Sequence, residues 1–111
     1  MADTRMLWVD DSKPEPLGCS VARTYDDAVR MLTRYDWDVL YLDHDLGEKR
    51  TGYELLLEMD FAGRVPATVI CISWNPVGRA RIEALWEEIV DRRAKPDPER
   101  DPQPARFGSV L

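Results

Sequence analysis

Three short segments hold the side chains whose types and spacing suit chemistry, and each follows an apolar run. Asp10-Asp11 comes after Arg5-Met6-Leu7-Trp8-Val9, and Asp43-His44-Asp45 comes after Trp37-Asp38-Val39-Leu40-Tyr41-Leu42. Ser73-Trp74-Asn75 closes the run that begins at Ala67. In an open parallel α/β sheet, ligands bind outside the carboxyl ends of the strands, so acids clustered there are better site candidates than acids on a helix face. If the first and third strands are neighbours, Asp10, Asp11 and Asp43 converge, and three carboxylates that close cannot all stay ionised without a cation. Oxygen-only ligands favour a hard divalent ion, Mg²⁺ with Mn²⁺ close behind, over zinc. His44 and Asp45 adjoin the cluster and suit proton transfer. The plainer reading of His44 is a structural ring hydrogen-bonded to a neighbouring acid.

The third segment offers the opposite charge preference. Asn75 reads as the cap of a helix that has Pro76 and Gly78 in its first turn. Free N–H groups and the helix dipole at that end favour a phosphate. Ser73 and Asn75 are placed to donate to its oxygens, and Arg79 lies one turn on. Lys13, on the loop after the first acid pair, is within reach of a phosphate oxygen, although such a lysine is often only solvated. Thr51 lies near the acids and reads equally well as a helix cap.

The elements that must position these residues alternate. Strands are expected over the runs ending at Val9, Arg23, Leu42 and Ser73. Helices are expected over about 25–35, from the capping box at Thr51 to a stop at Gly63, and from Pro76 to about Arg92. Residues 12–18 contain Pro14 and Pro16 and are too short for a helix, so the second strand is either joined by an extended arm or pairs antiparallel at the edge. Short links leave an α/β, three-layer arrangement with strand order 2-1-3-4 and helices on both faces, lacking the first crossover helix. Residues 1–92 form the domain. Residues 93–111, with four prolines among charges, form an arm suited to docking on a partner.

With 111 residues the chain is one domain. It carries 15 Lys and Arg against 21 Asp and Glu, a net charge of -6, and the surplus of acids lies within residues 1–90. Such a body is a poor binder of duplex nucleic acid, whose recognition needs a basic face. A small phosphorylated ligand is compatible if a metal screens the acids. Cys19 and Cys71 sit in strand-like runs and read as reduced, buried thiols. No signal-like or membrane-length apolar segment is present, so a cytoplasmic location and no membrane partner are expected.

Asp10-Asp11, Leu42-Asp43-His44-Asp45-Leu46-Gly47, Thr51-Gly52-Tyr53 and Ser73-Trp74-Asn75-Pro76-Val77-Gly78 occur in that order. In combination they resemble the cyclic-phosphate processing receiver domains, an offshoot of the receiver (flavodoxin-like) fold, over about residues 5–90. The resemblance implies action on a cyclic phosphate of a nucleotide or RNA end, in prokaryotic and viral conflict settings. It aligns Asp10 and Asp11 with the metal-binding acids of receivers, Asp43 with the phosphoacceptor and Ser73 with the hydroxyl position. The usual receiver lysine after a fifth strand has no counterpart. Ile72 stands where the family pattern has a histidine, which argues against a two-histidine mechanism. Three functions compete: a metal-assisted phosphodiesterase, a non-catalytic nucleotide-binding module (sponge or sensor) and a phosphoacceptor receiver.

Overall fold

The computed structural model describes residues 4–95. Its strands are β1 (Met6–Val9), β2 (Cys19–Ala22), β3 (Val39–Leu42) and β4 (Thr68–Cys71). Its helices are α1 (Tyr25–Arg34), α2 (Gly52–Ala62) and α3 (Pro76–Ala94). The sheet is parallel throughout in the expected order, β2-β1-β3-β4. Val9 lies opposite both Ala22 and Leu42, and Leu42 lies opposite Cys71. This register brings the ends of all four strands into line. The residues that follow, Asp10, Asp43 and Ile72-Ser73, therefore leave the sheet side by side.

The question left open for β2 is settled as parallel, without a crossover helix. Residues 10–18 bend at 11–13 and turn at 17–18, and because a stretch of that length can reach up to roughly 30 Å it still covers the roughly 13 Å needed to return along a four-residue strand. The loss of that helix shows in the layers. The crossovers through α1 and α2 step across the sheet in the same direction, so right-handedness puts both helices on one face, and α3 packs against α2 there. Leu7, Val9, Leu40, Leu42 and Val69 point into that layer, against Leu32, Leu56, Met59, Ile82 and Ile89. Each such side chain contributes about 1.5–3 kcal/mol on burial. On the other face Trp8 and Tyr41 pair with ring centroids 5.5 Å apart, and Ile70 is 41 % exposed. Of the two helical layers expected, residues 4–95 thus supply one.

Local chemistry sets the helix ends. Thr24 Oγ accepts from Asp27 N at 3.1 Å, Thr51 and Glu54 form a reciprocal capping box, and Gly63 closes α2 at φ 70°. Helix α3 continues past the expected Arg92 to Ala94. Its last turn is fastened: Arg92 forks onto Asp60 at 2.8 and 3.1 Å, and Arg93 donates to the Val65 carbonyl at 2.8 Å. Residues 96–111, most of the expected docking arm, lie outside the described residues. The two cysteines are free but only half-buried, and burial pushes both thiols above their ordinary pKa. No described helix is long and apolar enough to cross a membrane.

Candidate functional site

Asp10 extends the ladder of β1, its N–H donating to the Ala22 carbonyl at 3.2 Å, and is 1 % exposed. Its Oδ2 accepts from the N–H of Ser12 at 2.9 Å and from that of Lys13, which folds the loop back over the strand end. The Lys13 carbonyl is held by Trp8 Nε1 at 3.2 Å and by Arg23 at 2.7 Å. Thus anchored, Lys13 turns its ammonium inward: Nζ lies 3.2 Å from Asp43 Oδ2, 3.1 Å from the Ile72 carbonyl and 3.7 Å from Asp10 Oδ1.

Asp43 is 6 % exposed. Burial raises its carboxyl above the ordinary value and the adjoining Asp10 carboxylate adds to this, while Lys13 pulls the other way. In Asp10 the same burial is outweighed by the adjoining Asp43 carboxyl, by the Lys13 and Ser12 N–H groups and by the Lys13 ammonium, so its carboxyl lies below the ordinary value. Asp11 is exposed and lies over Gly47, where a Cβ would come within 2.7 Å of its Oδ2. Asp10, Asp11 and Asp43 each offer an oxygen within 4.8 Å of the others, and Asp10 Oδ1 is buried without a hydrogen-bond partner. That donor set and its orphaned oxygen fit a hard divalent cation.

His44 is the second group with an unmet atom. Its Nδ1 is 3.1 Å from Asp45 Oδ1, while Nε2 is buried with no partner. The ring lies against the backbone at Gly78, where a Cβ would overlap it, and Gly52 N donates to the His44 carbonyl at 2.8 Å. Asp45 is exposed, and its Oδ2 accepts from Asn75 Nδ2 at 3.3 Å, which links the loops after β3 and β4.

A family profile described as the cyclic-phosphate processing receiver domain matches residues 5–88. The chain belongs to this family. No curated protein matches it. The match takes in all four strands and every strand-end segment above.

Two expectations for this receiver domain change on geometry. The start of α3 is not an open row of donors, because Asn75 Oδ1 accepts from Val77 N at 3.1 Å and Gly78 N at 3.2 Å, and Pro76 has no N–H. The side-chain donors near that helix start are the Asn75 amide, the Ser73 hydroxyl and the Lys13 ammonium. Nor is Lys13 simply solvated: its ammonium, from the loop after β1, stands on Asp43 at 3.2 Å. Ser73 is buried, with Oγ accepting from Asn75 N at 3.1 Å. Thr51 Oγ caps α2, accepting from Glu54 N at 3.3 Å. The Arg79 guanidinium is engaged by the Ser73 carbonyl at 3.1 Å and by Glu83 at 3.0 Å.

Sequence reasoning missed Trp8, Arg23 and Trp74. The first two hold Lys13 through its carbonyl, which no spacing reveals. Trp74 had a signal, an aromatic side chain between two polar residues at a strand end. Concavities of about 300 and 290 Å³ lie elsewhere, at the amino end of the sheet by Arg5 and Trp37 and between the far ends of α2 and α3. Neither is lined by a histidine or by paired acids like those at the strand ends.

Proposed function

We propose that this receiver domain opens a cyclic phosphate on a nucleotide or RNA end by hydrolysis. The observation that carries the reading is that the buried side-chain atoms without a partner, among the described residues, are Asp10 Oδ1 and His44 Nε2, both at the carboxyl end of the sheet. A buried polar atom left unpaired costs about 1–3 kcal/mol, a cost that a ligand offsets on binding. In the reaction, water attacks phosphorus, one ring P–O bond breaks, and the departing oxygen takes a proton, leaving a phosphate monoester and a hydroxyl. His44 Nε2 is free to hold or pass that proton, with Asp45 on Nδ1 fixing the ring. Lys13, Ser73 and Asn75 hold the phosphoryl oxygens and the charge that builds on them. Asp10, Asp11 and Asp43 would hold Mg²⁺ or Mn²⁺, which supplies Lewis-acid polarisation and a bound water of lowered pKa. The test is phosphorus NMR of a 2′,3′-cyclic nucleotide incubated with the protein and either ion. Conversion to a monoester is expected. Binding with the ligand returned unchanged would leave a sponge or sensor instead.

The Lys13–Asp43 contact at 3.2 Å favours a second reading, a phosphoacceptor receiver. It predicts a stoichiometric phosphoryl adduct with acetyl phosphate, lost in Asp43→Asn. The burial of Asp43, only 6 % exposed, disfavours it, because an attacking carboxylate oxygen must reach the phosphorus.

A further inference from the structure

We propose that Trp74 is a stacking platform for a nucleobase, so that the cyclic phosphate taken by the site is that of a nucleoside. The inference rests on the cyclic-phosphate reading and specifies its ligand class. Trp74 lies between Ser73, which is 1 % exposed, and the helix-capping Asn75, yet its own side chain is 86 % exposed. The core does not hold it. The group that meets its ring is the Lys13 ammonium, 5.0 Å from the centroid, and the same ammonium is 3.2 Å from Asp43 Oδ2. One cationic head thus spans from the carboxylates to the indole. A ligand whose phosphate lies against that head carries its base one ribose away, within reach of the indole.

The platform is also well placed in backbone terms. Ser73 Oγ holds Asn75 N at 3.1 Å and Arg79 Nε holds the Ser73 carbonyl at 3.1 Å, so the segment carrying the indole is fixed before any ligand arrives. Little ordering remains to oppose stacking. Val77, 70 % exposed in the first turn of α3, adds apolar surface close by in the chain. Every base has a π-face, so stacking tolerates any base. The net charge of -6 selects against a long polyanion and for a single terminal nucleoside.

The experiment compares two five-membered cyclic phosphates, adenosine 2′,3′-cyclic phosphate and glycerol 1,2-cyclic phosphate, on the wild-type protein and on Trp74→Ala, Trp74→Leu and Trp74→Phe, by calorimetry with Mg²⁺. In the wild type the adenosine ligand is expected to bind roughly 5- to 150-fold tighter, the range that one stacked base supplies. Trp74→Ala and Trp74→Leu should lose most of that preference and Trp74→Phe should keep much of it. If Trp74→Ala weakens both ligands alike, Trp74 serves the phosphate or the fold and the proposal falls. If the wild type binds both ligands equally, the platform falls while the cyclic-phosphate reading stands. If it binds neither, the reading beneath falls and takes the platform with it.

Discussion

The two ends of one sheet are built to different rules. At the amino end the polar groups are paired: Arg5 N donates to Asp38 Oδ2 at 2.7 Å, Trp37 Nε1 to the Met31 carbonyl at 2.8 Å, and Arg64 to the carbonyls of Leu32 and Tyr35 at 3.0 and 2.9 Å. Arg5 also covers the Tyr35 and Trp37 rings. At the carboxyl end, 13–14 Å away along four-residue strands by ordinary strand geometry, two acids are buried side by side, two buried atoms have no partner, and an indole faces solvent. The difference teaches where this fold satisfies its polar groups and where it leaves them open to a ligand. Cations close the first end, whereas at the second a single lysine must serve two carboxylates.

That contrast is broken most sharply through His44. If Nε2 moves a proton in ring opening, His44→Ala should lower the rate by roughly 10² to 10⁴ while changing binding by only a few-fold, because a general acid or base acts mainly in the transition state. Arg64→Ala, at the other end, should cost about 1–2 kcal/mol of stability through its two carbonyl hydrogen bonds and leave the rate per folded molecule unchanged. Rate assays beside urea denaturation measure both. Equal rate losses in the two variants would erase the division between the ends.

Gly52 probes the architecture beneath the site. A Cβ there would overlap the Asp43 carbonyl, which is backbone and cannot swing aside. Gly52→Ala is therefore expected to destabilise by about 3 kcal/mol, the upper part of the usual range for overpacking. A urea midpoint equal to the parent's would show that α2 can retreat and that its apposition to Asp43 does not set the geometry.

The opposite shifts of Asp43 and Asp10 make a smaller, pH-dependent prediction. Asp43, raised when folded, contributes stability that is fully present below the ordinary carboxylate value of 3.8 and lost as pH rises through the raised value. Asp10, lowered, contributes in the opposite sense, with stability present above 3.8 and lost on acidification. Asp43→Asn removes the first effect and keeps the second. From about pH 4 to pH 7, its stability relative to the parent should rise. A difference that is flat with pH would mean that Lys13 already cancels the cost of burying the Asp43 charge.

The same contrast explains what could be read in the chain beforehand. Strand order, the caps at Thr24, Thr51 and Asn75, and the meeting of Asp10 with Asp43 follow from local pattern plus the rule of right-handed crossovers, and all are present. The direction of β2 was not legible, because it turns on whether an extended, proline-containing loop can reach back. The role of Lys13 was not legible either. Its direction depends on Trp8 and Arg23 gripping its carbonyl, contacts that exist only once β1 and β2 lie side by side. Asn75 shows a subtler limit: the residue that marks a helix start also consumes the N–H groups that would have made that start an anion site.

Arg79 gives the smallest expected effect and the finest test of the comparison. As a cation one turn into α3 it suits a phosphate on charge alone, but its Nε is engaged by the Ser73 carbonyl and its NH1 by Glu83. It behaves like the arginines of the amino end, which close off carbonyls and acids. Arg79→Ala should leave cyclic-phosphate affinity within roughly twofold. Its helical pair with Glu83 is exposed and contributes only about 0.3–0.5 kcal/mol, so the loss of stability should be near 1 kcal/mol once the Ser73 hydrogen bond is included. Lys13→Ala, measured beside it, should weaken binding far more, since its ammonium is the one placed among the acids. A tenfold loss of affinity in Arg79→Ala would mean that the arginine leaves Ser73 for the ligand, and the rule that separates the two ends would then fail at this residue.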